Sequence, residues 1–195
     1  MEKITREAAL KMKVLVGITG ASGAFLGYRF IEKLKELGQE TYVVVSRWGE
    51  ETLARETGYS LEAVRGIAHS FYDEWDMASA ISSGSFPMDA MVIIPCSMKT
   101  LAAIANGISV NLVSRAADVT LKEGRKLILV ARETPLSGVH LKNMLELSRL
   151  GVTIMPPVLA YYNRLSDPEK LTDAFLGRVM DQLGIDNDLV KRWQG

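Results

Sequence analysis

Short, almost continuously apolar runs alternate with longer amphipathic stretches along this chain, and that alternation leaves it very few architectures. Lys13-Val14-Leu15-Val16-Gly17-Ile18 is apolar at nearly every position, the pattern of a strand covered on both faces. After a glycine-rich turn, Phe25, Tyr28, Ile31, Leu34 and Leu37 recur at spacings of three and four. That is one face of a helix, with Gly38 placed to end it. Thr41 to Val45 reads as a second strand closed by Ser46, and Ala90 to Ile94 as a third stopped by Pro95. Leu127 to Val130 is a fourth, and Val152 to Met155 a last short one before Pro156-Pro157. Helical patterning falls at Glu50 to Glu56, after Pro95 through Ala105, at Asn111 to Lys122, at Gly138 to Leu150 and at Leu171 to Leu183. The polar region Ser70 to Ser85 has no clear period, and Ser82-Ser83-Gly84-Ser85 within it is a loop signal.

Strand and helix in alternation with short connections predict an α/β protein, a Rossmann-like (flavodoxin-like) three-layer fold with a central parallel sheet. A chain of 195 residues suits one domain. That domain is expected over residues 12–195, with 1–11 an N-terminal extension outside it. The extension, MEKITREAALK, lacks the apolar core of a signal peptide. Lys+Arg and Asp+Glu are both 23, so net charge is zero. That balance argues against a nucleic-acid or polybasic membrane partner, whose binding rests on clustered positive charge. No apolar run reaches the roughly 18 residues that span a bilayer. One cysteine excludes an internal disulfide and fits a reducing, cytoplasmic compartment.

Open parallel sheets bind ligands just beyond the carboxyl ends of their strands. Thr19-Gly20-Ala21-Ser22-Gly23 follows the first strand, Ser46-Arg47 the second, Pro95-Cys96-Ser97-Met98-Lys99-Thr100 the third and Arg132-Glu133-Thr134-Pro135 the fourth. Hydroxyls, cations and small residues therefore gather at one edge, which suits an anionic ligand. Gly17, Gly20 and Gly23 are spaced three apart, which is neither the dinucleotide fingerprint nor a P-loop. No acidic residue closes the second strand to hold a ribose diol, which counts against NAD. Ser22 at a helix start suits a monophosphate, and it equally suits a plain helix cap. Ser97 to Thr100 opens another helix with the same two readings. Cys96, a lone thiol, reads as a packing residue, and His140 as a helix-packing histidine. No metal-ligand spacing is present.

Five segments occur in a familiar order: Gly17-Ile18-Thr19-Gly20-Ala21-Ser22-Gly23, Pro95-Cys96-Ser97-Met98-Lys99-Thr100-Leu101-Ala102, Arg115-Ala116-Ala117-Asp118-Val119, Arg132-Glu133-Thr134-Pro135-Leu136 and His140-Leu141-Lys142-Asn143-Met144. Together they resemble the UbiX-type flavin prenyltransferases, formerly called aromatic acid decarboxylases, from Met12 to Trp193. The related peptidyl-cysteine decarboxylases carry Pro-Ala-Ser-Ala-Asn-Thr where this chain has Pro95 to Thr100. The resemblance implies FMN, held by Gly20, Ala21, Ser22, Ser46, Ser97, Met98, Lys99, Thr100 and Arg132. It implies dimethylallyl phosphate as second substrate, gripped by Lys122, Tyr162 and Arg178 with Trp193 as an aromatic surface.

Ser22, Glu56, Glu133 and Tyr162 take catalytic roles on the same ground: Ser22 near the flavin N5, the two glutamates in proton transfer. The family's Pro-Ala-Phe-Tyr stands here as Leu159-Ala160-Tyr161-Tyr162. The implied reaction joins a dimethylallyl group to N5 and C6 of reduced FMN without a metal. The prenylated FMN so made serves a UbiD-type decarboxylase. Family members form homododecamers, with Tyr162, Arg178 and Trp193 acting across subunit boundaries. Two other classes fit the same fold: an FMN-dependent decarboxylase of peptidyl-cysteine type and a non-catalytic FMN carrier.

Overall fold

The computed structural model describes residues 11–160, 167–190 and 192. Six strands form one all-parallel sheet: β1 (Lys13–Ile18), β2 (Glu40–Val45), β3 (Ser70–Tyr72), β4 (Ala90–Cys96), β5 (Lys126–Ala131) and β6 (Thr153–Ile154), in the order β3-β2-β1-β4-β5-β6. Of the two common doubly wound orders, this is the Rossmann one, and it reverses between β1 and β4. The helices are α1 (Ala24–Glu36), α2 (Arg47–Thr57), α3 (Leu61–Ile67), α4 (Met98–Ala105), α5 (Leu112–Lys122), α6 (Gly138–Arg149) and α7 (Pro168–Leu183).

Alternate residues of each strand feed two cores. Val14, Val16, Ile18, Val43, Val92 and Val130 pack with Phe30, Ile31 and Leu34 of α1, Leu53 of α2, Val64 of α3 and Leu176 and Val179 of α7. Leu15, Val44, Met91, Ile93, Leu127 and Leu129 pack with Leu101 of α4, Leu112 and Val113 of α5 and Leu147 of α6. Both faces of the sheet are thus apolar, which is why its strands read as continuous hydrophobic runs.

Three expectations are corrected. Pro95 does not stop its strand: β4 runs on to Cys96, with a register shift against β5 between Ile93 and Cys96. A shifted ladder is where a residue without an N–H can be accommodated. The unassigned stretch contains edge strand β3, and its three residues are too few to show a period. The third correction is α3, capped by the Ser60 hydroxyl on Ala63 N–H and only seven residues long. Among the described residues no helix is long and apolar enough to cross a membrane.

Candidate active site

The carboxyl edge is built around a three-way junction at Thr19. Its hydroxyl donates to Pro95 O at 2.8 Å and accepts Ser97 N–H at 2.8 Å, and its N–H donates to the same carbonyl at 3.2 Å. Thr19 is buried, so it clips the end of β1 to the end of β4 where the strand order reverses. The glycines beyond it are needed for close approach. A Cβ on Gly20 would stand 2.3 Å from Trp48 Cβ, and one on Gly27 2.3 Å from Ile94 O. Both distances are far inside contact, so the turn and α1 lie where only glycine fits.

The start of α1 differs from the sequence expectation. Its N-cap is Gly23, at φ +96°, which has no side chain to cap with; Ser22 is exposed. Glu56 reaches across from α2 instead. Its carboxylate accepts Gly23 N–H at 2.9 and 3.0 Å and Ala24 N–H at 2.9 Å. The helix N-terminus expected to hold a phosphate thus carries a carboxylate of the same chain, favoured there by the same dipole and donors. Glu56 acts in this structure as an α1 cap.

Two other helix starts have the residues expected of them. Ser46 caps α2 by accepting Gly49 N–H at 3.1 Å, and Ser97 caps α4 by accepting Thr100 N–H at 3.3 Å. Ser97 Oγ also donates to Thr100 Oγ1 at 3.1 Å. The backbone N–H of Arg132 donates to Cys96 O at 3.1 Å, which sets the start of the Arg132–Pro135 segment beside α4. Glu133 accepts Thr134 N–H at 3.0 Å and is exposed. Cys96 is fully buried, and burial pushes its thiol well above the ordinary range, so it is a packing group and no nucleophile.

Electrostatics mark this edge more sharply than any single motif. Among the described residues, Arg29, Arg55, Arg65, Arg115, Arg149, Arg178 and Arg192 lie beside carboxylates. Arg125 donates to the carbonyls of Gly84 and Phe86. Among the described residues the guanidinium groups of Arg47 and Arg132 have no partner; Arg132 directly follows β5 and Arg47 stands two residues past the end of β2, both at the carboxyl edge. Exposed Lys99 adds a third cation there. A concentration of unneutralised positive charge beside hydroxyls and the positive end of α4 suits a phosphate-bearing ligand.

Two expected residues are not brought to that edge. Lys122 ends α5 and pairs with Glu123 beside the Gly84 loop, next to the amino ends of β4 and β5. It stands about 20 Å away, the length of a seven-residue strand. Within one chain, then, Lys122 does not share a site with Arg132. Arg178 lies on the exposed side of α7, about three turns past the helix start, with its guanidinium 2.9 Å from Asp181. Tyr162 and Trp193 lie outside the described residues.

Sequence reading missed Glu74, a buried carboxylate just beyond β3 that accepts Arg47 N–H at 2.6 Å and Asn111 Nδ2–H at 2.7 Å. It also passed over Trp48, exposed at the lip against Gly20. A Trp three residues past a strand end was a usable signal; Glu74, in an aperiodic stretch, offered none.

The Flavoprotein family model matches residues 2–180. A probable UbiX-like flavin prenyltransferase of Bacillus subtilis is 49% identical over 190 residues, covering 97% of this chain and 93% of that protein. The crystal structure of AnUbiX in complex with FMN and dimethylallyl pyrophosphate superposes with a TM-score of 0.93 at 48% identity, over 95% of this chain and 98% of that one. A dodecameric FMN-dependent UbiX-like decarboxylase from Escherichia coli O157:H7 gives 0.92 at 49% identity, over 94% and 100%.

Proposed function

This chain belongs to the UbiX-type flavin prenyltransferases, and from that premise we propose how its own residues serve the transfer of a dimethylallyl group to reduced FMN. The residues fit such a flavin. Ser46, Ser97 and Thr100 offer hydroxyls, α4 presents its first-turn N–H groups, and Arg132 brings a guanidinium that no described carboxylate neutralises. These groups, with Gly20, Ala21, Met98 and Lys99, hold the phosphate and ribityl chain. Glu56 keeps the glycine turn in place by capping α1. When bound, the reduced flavin supplies the nucleophilic ring atoms that take up the five-carbon group.

The chain's own contribution is electrostatic. As dimethylallyl phosphate gives up its phosphate, negative charge grows on the leaving oxygen. Fixed cations and hydroxyl donors aimed at it lower the barrier without reorganising. Lys122, Tyr162 and Arg178 are the groups we assign to that phosphate, with Arg132 and Glu133 at its margin. Trp193 offers an aromatic face to the allylic cation, an attraction of roughly 0.5–2 kcal/mol. Ser22, exposed on the turn, orients the reactants, and Glu133 is available for proton transfer.

The flavin-binding unit is read as one domain from residue 12 onward, with 1–11 an extension to it. Its product passes to a UbiD-type decarboxylase, and the chain assembles as a homododecamer in the cytoplasm. Exposed Val139, Leu141 and Leu145 on α6 and Val158 beyond β6 support assembly, since a monomer gains nothing by wetting them. The observation that carries the reading is the pair of arginines just beyond the strand ends, Arg47 and Arg132, that no described residue pairs. Anaerobic incubation with reduced FMN and dimethylallyl phosphate, followed by mass spectrometry, should reveal a flavin heavier by one five-carbon unit. Unchanged flavin mass in a protein that retains FMN would reduce the chain to a carrier.

A further inference from the structure

Glu74 lies in no helix or strand, yet its side chain is buried. A carboxylate is expensive to bury unless its lone pairs are answered, and here they are answered by two different elements. One oxygen accepts Arg47 N–H, the first residue of α2, at 2.6 Å. The other accepts Nδ2–H of Asn111, the N-cap of α5, at 2.7 Å. The backbone carbonyl of Glu74 takes Leu112 N–H at 2.8 Å as well. One residue therefore ties the first turns of two helices that lie on opposite faces of the sheet.

Both of those turns bear on β1 and the crevice. A Cβ on Gly49 would lie 2.5 Å from Ile18 O, and one on Gly20 would lie 2.3 Å from Trp48 Cβ. On the other face, Val113 Cγ1 would stand 3.1 Å from a Cβ on Gly17. The position of α2's first turn fixes Ser46 and the guanidinium of Arg47 relative to the glycine turn.

We propose that Glu74 is a positioning residue for flavin binding: by holding Arg47 N–H and Asn111 together it fixes the α2 wall of the crevice. The proposal rests on the FMN-binding reading above.

The hydrogen-bond polarity of the Glu74–Asn111 contact supplies the test. Glu74→Gln keeps an acceptor for Arg47 but turns an amide N–H₂ toward Asn111. Asn111 cannot turn its own oxygen to meet it, because that oxygen accepts Ser114 N–H at 3.2 Å. Adding Asn111→Asp restores an acceptor there, keeps an N-cap and leaves the net charge unchanged. FMN affinity measured by fluorescence titration should fall about tenfold in Glu74→Gln and return to about the wild-type value in the double variant. In turnover, KM for FMN should rise with kcat nearly unchanged.

A Glu74→Gln protein that melts lower but binds FMN as wild type does would overturn the proposal, leaving Glu74 a purely structural group. If Glu74→Gln does not fold, Asn111→Ser breaks the same contact while keeping a capping hydroxyl. It must then weaken FMN, and wild-type affinity would again overturn the proposal. The five-carbon adduct, scored separately in wild type, tests the prenyl-transfer reading, and its absence leaves the flavin titration to decide Glu74.

Discussion

An arginine beside an acid on a protein surface contributes at most about 1 kcal/mol, so most guanidinium groups here say little about function. Arg132 differs because no described residue neutralises it, and the α4 N-terminus beside it adds positive potential. A charge-assisted bond to phosphate is among the stronger polar contacts a side chain makes. Arg132→Ala should therefore lose FMN by about tenfold or more in affinity, read as flavin retained through gel filtration or by titration. Tyr162→Phe should retain FMN and slow prenyl transfer. Equal flavin content in wild type and Arg132→Ala would remove Arg132 from the flavin site. Arg132 could be picked out in the sequence because it directly follows an apolar run. The capping role of Glu56 could not: it reaches a turn 32 and 33 residues away through tertiary packing alone.

Among the elements, those with a full period were readable and those without were not. α1 and α5 each offer several apolar positions on one face, and their bounds fall within a residue of expectation. β3 and α3 are short, and beyond the Ser60 cap on α3 it is the neighbours they pack on that hold them in place. Pro95 misled for a related reason, since a strand in the middle of a sheet can pass through proline where its ladder is offset.

At the end of α7, Asp181 is gripped by Arg192 at 2.5 Å, Arg178 at 2.9 Å and Asn187 Nδ2–H at 3.2 Å. These partners, Arg192 first, hold its carboxyl below the ordinary 3.8. A depressed acid stabilises the fold above its ordinary value, and that stability is lost as pH falls through the depressed one. Urea unfolding should therefore show wild type losing stability as pH falls below 3.8, beyond the general acid loss. Asp181→Asn should lose less over the same interval. Parallel pH profiles for the two proteins would mean the α7 cluster does not contribute.

At the scale of the whole molecule, the placement of Lys122 decides how an active site can be composed. It sits at the amino edge of its own sheet and Arg132 at the carboxyl edge, a strand's length apart. No side-chain rotation spans about 20 Å. If both serve one prenyl-donor phosphate, they come from different subunits, which a closed assembly with exposed apolar α6 faces permits. Lys122→Ala and Arg132→Ala would each inactivate every site in a pure assembly. Co-assembled in equal amounts, the two variants would re-form sites that take Arg132 from one subunit and Lys122 from its neighbour. Random mixing makes about a quarter of the sites complete, and prenylated flavin measured by mass spectrometry should recover to a comparable fraction of wild type. The same variants mixed without exchange of subunits should show none of that recovery, which separates a shared site from leakage of either variant. An exchanged mixture as inactive as its parents would mean that Lys122 and Arg132 do not act at a common phosphate, and Lys122 would revert to an ordinary helix-end cation paired with Glu123.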